Sequence, residues 1–144
     1  MSVNYIPKGL NAITPYLLAD DADKLIDFLQ TVFDAVIEKQ FKMPDGKTAH
    51  AQLRIGDSVI MAGGKPGAIA NECMLYVYVK DVDAVYKKAL AAGGISEMEP
   101  QDQFYGDRSA TVKDIFGHQW CIATHIEDVS PEEMEERAKK YKGC

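Results

Sequence analysis

The sequence predicts an α+β protein made of two βαβββ modules and a C-terminal helix. Both halves of the chain show the order strand, helix, strand, strand, strand in their hydropathy pattern. Two further observations indicate a duplication. Asp-x-Asp motifs begin at Asp21 and Asp81, 60 residues apart, and the segments Ile55–Met61 and Ile115–Cys121 have the same spacing. Two such modules imply curved mixed sheets around a shared cleft.

Module one is expected at about residues 10–64. Apolar residues recur at helical spacing from Leu25 to Phe33, as on a helix that packs against a sheet. Pro44-Asp45-Gly46 has the composition of a hairpin turn. The elements expected in order are a buried strand at Ala12–Ala19, a helix at Ala22–Phe33, and strands at Val36–Met43, Lys47–Ile55 and Ser58–Ala62.

Module two is expected at about residues 72–126, after a glycine-rich linker or mobile loop at Gly63–Gly67. A second helical stripe runs from Val82 to Leu90 and stops at Gly93-Gly94. Pro100 and the turn Asp114–Gly117 separate the later strands. The strands expected are Met74–Val79, Ile95–Glu99, Arg108–Lys113 and His118–His125.

The C-terminal helix is expected at about residues 130–141. Ser130 at the N-cap, Pro131 at the first helical position and Glu133 three residues after the cap form a capping box. Its apolar side chains share one face, which we expect to dock on the domain or on a partner subunit rather than on a membrane. These side chains are Met134, Ala138 and Tyr141.

Charge and cysteine content exclude several classes of protein. The 144 residues include 16 Lys and Arg against 22 Asp and Glu, for a net charge of −6, which argues against non-specific binding to nucleic acid or anionic membranes. The three cysteines form no C-x-x-C pair, and no apolar leader follows the polar start. We therefore expect a cytoplasmic protein. No apolar stretch approaches the roughly 20 residues that span a bilayer.

Four segments carry a resemblance to a known family, and they read PYLLADDADKLIDFLQTVFDA, HAQLRIGDSVIM, YVYVKDVDAVYKKALAAGG and DQFYGDRSATVKDIFGHQWCIATH. From about Ala12 to Arg137 the chain resembles the vicinal oxygen chelate superfamily, which contains glyoxalase I, extradiol dioxygenases, and bleomycin and fosfomycin resistance proteins. It is most similar to glyoxalase-like members of unassigned function. The resemblance implies a single glyoxalase/bleomycin-resistance-like domain over residues 1–144, and a homodimer. The fold supports both enzymes and non-catalytic drug binders.

The resemblance also implies where a metal would bind. Metal-dependent members place His, Gln or Glu ligands on the first and last strand of each module. Counting from Asp21 and Asp81, these positions are Thr14, Met61, Met74 or Leu75, and Cys121. Thr14, Met61 and Leu75 are poor ligands, and one cysteine cannot hold zinc, which takes about four ligands. We therefore expect no metal or other cofactor, and a ligand cavity that is apolar or mixed in character.

The strand Lys47–Ile55 has one apolar face and one polar face, the latter carrying His50, Gln52 and Arg54. The polar face is either solvated or lines the cleft, and the resemblance favours the cleft because its helices pack on the opposite side. His50 is then the best catalytic candidate, since its unperturbed pKa lies near neutrality. Tyr16 either faces the cleft or is a core tyrosine with a satisfied hydroxyl.

A second polar cluster occupies Gln103–Arg108. Asp107 or Arg108 either forms an ion pair that fixes this loop, or Tyr105 and Arg108 bind a planar or carboxylate-bearing ligand. Trp120 is either a core aromatic residue or a ligand platform.

The sequence thus predicts a small-molecule binding protein without the usual metal site. The ligand-binding residues expected beside His50 are Tyr16, Gln52, Arg54, Met61, Tyr105, Asp107, Arg108, Trp120 and Cys121. The alternative is a metal-dependent lyase, isomerase or dioxygenase of glyoxalase type, with a metal at unusual positions such as His50 and Gln52. A structural module with a filled cleft is a third class. No nucleic-acid or membrane partner is expected.

Overall fold

The computed structural model describes residues 4–140, which form eight strands and three helices. In chain order these are β1 (Tyr16–Ala19), α1 (Ala22–Phe33), β2 (Val36–Lys42), β3 (Thr48–Ile55), β4 (Ser58–Gly64), β5 (Met74–Tyr78), α2 (Val82–Ala91), β6 (Ile95–Asp102), β7 (Asp107–Lys113), β8 (Gln119–His125) and α3 (Pro131–Lys140). The strands form two four-stranded mixed sheets, ordered β1-β4-β3-β2 and β5-β8-β7-β6. In each sheet the first strand is parallel to the last and the other neighbours are antiparallel. The predicted fold class, two βαβββ modules and a C-terminal helix, is confirmed.

The chain divides into two compact units between Asn71 and Glu72. In the first unit, α1 packs on one face of its sheet. Asp21 caps this helix by accepting a hydrogen bond from the Lys24 amide at 3.2 Å. The buried side chains that join helix and sheet are Leu25, Leu29, Val32, Ala51 and Leu53.

The second unit repeats this arrangement with α2. Asp81 caps the helix through the Ala84 amide at 3.1 Å. Its core includes Val82, Ala89, Ala110, Val112 and Ile122. In the second sheet, Thr124 of β8 accepts a hydrogen bond from the Val82 amide at 2.9 Å, which marks the helix side of the strand.

The duplication extends to the contact that fixes each helix on its sheet. Asp23 of α1 accepts hydrogen bonds from the Thr48 hydroxyl at 2.5 Å and the Thr48 amide at 3.0 Å. Asp83 of α2 accepts two from the Arg108 guanidinium, at 2.9 and 3.0 Å. Both partners, like both acids, are 60 residues apart. These donors lower the pKa of each aspartate.

Two strand boundaries differ from the sequence prediction by three residues or more. β1 begins at Tyr16, not at Ala12, and the preceding Ile13 is 85% exposed, so its apolar character does not mark a buried strand. β6 continues past Pro100 to Asp102. Proline is tolerated there because β6 is an edge strand with an irregular register between Met98 and Gln101.

The C-terminal helix α3 has the predicted cap, since the Ser130 hydroxyl accepts a hydrogen bond from the Glu133 amide at 3.1 Å. Among its described residues none is buried, so Met134 and Ala138 do not dock the helix on its own chain through a buried apolar face, and docking on a partner subunit stays a prediction. Polar contacts hold it instead: Arg137 bonds to Glu127 at 2.6 and 3.0 Å and to the Phe104 carbonyl, while its bond to Glu133 lies within the helix. Tyr141 lies outside the described residues.

Candidate functional site

Each sheet has one face that its helix does not cover. In the first sheet, Ala51 and Leu53 of β3 are buried beneath α1, while the alternating His50, Gln52 and Arg54 are partly exposed on the opposite face. We call this surface the first helix-free face. The sequence predicted that these three residues share one polar face of the strand, and the structure places them there.

A hydrogen bond between Tyr16 and His50 crosses the first helix-free face. The Tyr16 hydroxyl lies 3.0 Å from His50 Nδ1, although β4 separates the strands that carry them. The ring reaches across because Gly63, the β4 neighbour of His50, has no side chain. A Cβ at Gly63 would lie 2.6 Å from the Tyr16 ring and 2.7 Å from its hydroxyl, closer than packed atoms allow. Glycine at this position therefore makes room for the Tyr16–His50 pair.

Side chains from β2 and β4 complete this face. Phe41 lies beside His50 with ring centroids 6.2 Å apart, and Met61 is the strand neighbour of both Tyr16 and Gln52. Glu38 accepts hydrogen bonds from two of the predicted ligand-binding residues, Gln52 at 3.1 Å and Arg54 at 2.9 Å.

These contacts have an electrostatic consequence. The hydrogen bonds from Arg54 and Gln52 lower the pKa of Glu38, which stays ionised at neutral pH. The charge of Arg54 is thus already balanced within the face.

The second sheet carries a different cluster on its own helix-free face, and Asp107 is at its centre. Asp107 is 3% exposed and accepts hydrogen bonds from the hydroxyls of Tyr76 at 2.6 Å and Tyr78 at 2.9 Å. Its other oxygen lies 2.9 Å from His125 Nδ1, and His125 Nε2 lies 2.7 Å from Asp128. We call these five residues the Asp107 cluster.

The hydrogen bonds decide the charges in the Asp107 cluster. Burial alone would raise the pKa of Asp107, but the donors Tyr76, His125 and Tyr78 outweigh it and hold the pKa below its usual value. The two carboxylates that flank His125, Asp107 foremost, raise the pKa of the imidazole. Burial and the bond to Asp107 raise the pKa of Tyr76 far above its usual range, so its phenol remains a donor.

Cys121 is the strand neighbour of Tyr76 and is buried. Burial raises the pKa of its thiol, although hydrogen bonds with Ser109, Thr111 and Tyr76 act in the opposite direction. The thiol therefore stays neutral near pH 7, which makes it a poor nucleophile.

A comparison with family models identifies residues 9–122 as matching the Glyoxalase/Bleomycin resistance protein/Dioxygenase superfamily. The chain belongs to this superfamily. The resemblance noted in the sequence is thereby confirmed, and the match extends from before β1 into β8, the last strand of the second module.

Relatives and solved structures agree with this membership. The uncharacterized protein Mb0911c of Mycobacterium bovis is 35% identical over 147 residues, which cover 94% of each chain. TioX from Micromonospora sp. ML1 has a TM-score of 0.65 at 27% identity, covering 81% of this chain and 99% of that one. The fosfomycin resistance protein FosX from Listeria monocytogenes has a TM-score of 0.64 at 19% identity, covering 86% and 97%, and shares the fold.

The positions at which the resemblance places metal ligands can now be compared with the strands of the structure. Thr14 precedes β1, and the register places Tyr16 beside Met61 and Tyr76 beside Cys121. Neither the predicted set (Thr14, Met61, Met74 or Leu75, and Cys121) nor the two tyrosines that the register sets beside Met61 and Cys121 fits a hard or borderline divalent cation. Within residues 4–140 no group of three or more His, Cys, Asp or Glu side chains is arranged to hold a metal ion. No helix in that range is both long and apolar enough to cross a bilayer.

Three other predicted residues lie around the second sheet. Arg108 points toward α2, where it pairs with Asp83, and it also bonds to Asp102 at 3.1 Å. These ion pairs join Arg108 to α2 and to the end of β6, whereas the sequence predicted an ion pair that fixes the loop Gln103–Arg108. Trp120 is 1% exposed and donates to Asp114 at 3.0 Å, as a core aromatic residue does.

Tyr105, by contrast, is partly exposed, and it contributes to the raised pKa of Tyr76. It packs edge-on against Phe104, with ring centroids 5.2 Å apart.

Four members of the Asp107 cluster were not among the residues predicted from the sequence: Tyr76, Tyr78, His125 and Asp128. A usable signal was present in β5, since tyrosines two residues apart on a strand share one face. Their meeting with Asp107 depends on register between distant strands, which a single sequence does not reveal.

Proposed function

We propose that this superfamily member binds a small organic molecule on the first helix-free face without the help of a metal ion. The Tyr16–His50 pair, set among exposed rings, carries the proposal. Tyr16 is 48% and Phe41 is 63% exposed, and Leu18 on β1 is exposed as well. Exposed apolar side chains grouped around a few polar atoms are typical of interaction and ligand sites.

The chemistry of the pair indicates what such a ligand offers. When the Tyr16 hydroxyl donates to His50 Nδ1, a neutral His50 carries its proton on Nε2 and donates to a ligand oxygen or nitrogen. Gln52 and Arg54 are already bonded to Glu38, so they frame the site rather than supply a free charge.

A thermal-shift screen with small aromatic and heteroaromatic compounds tests the proposal. A ligand at 100 times its dissociation constant stabilises the protein by about 2.7 kcal/mol. We expect hits to bind at least tenfold more weakly to Tyr16→Phe and to His50→Gln. Tyr86→Phe is the matched control, because it removes a hydroxyl whose partner is Ser96 on the second sheet.

Two results would contradict the proposal. One is a ligand response that is unchanged in both Tyr16→Phe and His50→Gln. The other is dependence on a metal, seen as stoichiometric nickel, zinc, iron or manganese in the purified protein, together with loss of ligand stabilisation after chelator treatment. We also propose that the protein is a homodimer and lies in the cytoplasm. Light scattering tests the oligomeric state, and fractionation of the native host tests the location.

A further inference from the structure

The Asp107 cluster fixes the proton positions on His125. Asp107 accepts from two phenols through one carboxylate oxygen and faces His125 Nδ1 with the other. Because a carboxylate can only accept, Nδ1 of His125 carries a hydrogen and donates to it. On the other side of the ring, Nε2 faces the carboxylate of Asp128 at 2.7 Å. Donation from both nitrogens is possible only for the imidazolium form.

The two carboxylates that hold His125 differ in their surroundings. The Asp107 side chain is 5% exposed and has three donors, so it is fixed in place. The Asp128 side chain is fully exposed, in the segment between β8 and α3. An ion pair with a fully hydrated partner is weak and is screened by salt. Asp128 is therefore the partner that another acceptor can replace.

The surface beside His125 is aromatic. The rings of Tyr76 and Tyr78 lie with centroids 5.2 Å apart, and both side chains are more than 40% exposed although their hydroxyls are bonded to Asp107. A planar apolar group can pack on these rings while its acceptor reaches Nε2 of His125. The acceptor that best replaces a carboxylate at a cationic donor is another carboxylate.

We propose that His125 anchors the carboxylate of a small aromatic acid, which replaces Asp128 at Nε2 and packs its ring on Tyr76 and Tyr78. This site belongs to the second sheet and does not depend on the function proposed for the first helix-free face. Binding requires the imidazolium, so affinity is present at low pH and is lost as the pH rises through the raised pKa of His125. The other titratable groups of the cluster are Asp107 on β7, Tyr76 and Tyr78 on β5, Asp128, and Tyr105 next to Tyr76.

Benzoate and its neutral analogue benzamide are the probes. Titrations at pH 6 followed through the imidazole ¹⁵N signals of His125 should show benzoate binding at Nε2, and benzamide binding at least tenfold more weakly. His125→Gln should weaken benzoate at least tenfold. Asp128→Asn, which removes the competing charge from an exposed position, should tighten benzoate by about two- to fivefold, the range that exposed ion pairs supply.

Asp27→Asn is the matched control for charge, since it removes one exposed acid from α1 in the other unit and should leave benzoate affinity unchanged. The proposal is overturned if benzoate binds equally to the wild type and to a folded His125→Gln protein, or if benzamide binds as tightly as benzoate. It is also overturned if Asp128→Asn and Asp27→Asn change the affinity equally, because a general charge effect would then explain the gain. None of these outcomes bears on the screen at Tyr16 and His50.

Discussion

Gly63→Ala tests whether the missing side chain at Gly63 positions Tyr16. The three heavy atoms nearest to a Cβ built at Gly63 all belong to the Tyr16 ring and hydroxyl, at 2.6 to 3.0 Å. The backbone of Gly63 has no positive φ, so alanine is not strained there for any other reason. Tyr16 is half exposed and can swing away, but it then loses its hydrogen bond to His50.

The expected magnitude depends on whether Tyr16 is present. Losing one hydrogen bond costs about 0.5–1.5 kcal/mol. Replacing glycine by alanine at an unstrained position stabilises by about 0.4–1 kcal/mol through the unfolded chain. In the wild type the two effects nearly cancel. In a Tyr16→Ala background there is no clash, and Gly63→Ala should stabilise by the full second amount. The two substitutions should therefore be coupled by about 0.5–1.5 kcal/mol.

Urea denaturation of the four proteins of this cycle, followed by circular dichroism, measures the coupling. Additivity within about 0.3 kcal/mol would refute the reasoning, because it would mean that the Tyr16 ring does not occupy the space above Gly63. The Gly63→Ala protein should also bind the ligands found in the thermal-shift screen as weakly as Tyr16→Phe does, although it keeps every polar group of the face.

Three further predictions concern the second sheet and its turns. At Gly106 φ is +100° and a Cβ would overlap a backbone carbonyl, whereas at Gly46 φ is +88° and nothing lies within 4 Å. Gly106→Ala should therefore lower the free energy of unfolding by about 1–3 kcal/mol more than Gly46→Ala does, as measured by urea denaturation. Asp114→Ala leaves buried donors, including the indole of Trp120, without an acceptor. It should therefore lower the free energy of unfolding by about 3 kcal/mol and shift the fluorescence of this single tryptophan. The raised pKa of His125 adds stability that is complete below the usual imidazole pKa of 6.5 and is lost as the pH rises through the folded-state pKa. The melting temperature of the wild type should therefore fall relative to that of His125→Gln as the pH rises from 6 to 9. Parallel plots of melting temperature against pH would contradict this.

Much of the fold follows from local patterns in the sequence. The stripe from Leu25 to Phe33 and the aspartates at Asp21 and Asp81 predict both helices and their caps, because burial of one helix face and satisfaction of its first amides act over a few residues. The alternation around His50 likewise predicts one polar strand face. These features depend only on neighbours close in sequence.

The candidate sites were harder to predict because they depend on strand boundaries and register. The sequence prediction begins β7 at Arg108 and so assigns Asp107 and Arg108 to one loop cluster. β7 begins at Asp107, so the two side chains point to opposite faces, Asp107 toward Tyr76 and Arg108 toward α2. A shift of one residue in the strand boundary thus separates a buried acceptor from a helix anchor.

The two copies of the internal repeat share the contacts that hold each helix on its sheet and differ in the contacts on the helix-free faces. Both copies share the helix cap and the aspartate that ties the helix to its sheet, with Thr48 as donor in one and Arg108 in the other. Both copies also place a tyrosine on the first strand, but on the helix-free faces its partner is His50 for Tyr16 and Asp107 for Tyr76.

Helix docking needs the same contact in each copy, because each helix must bury the same kind of apolar face. Ligand recognition has no such requirement. The two helix-free faces offer different chemistry, a tyrosine–histidine pair beside Phe41 on the first sheet and a histidine between two carboxylates beside phenols on the second. We therefore expect the functional residues of this chain among the positions where its two halves differ.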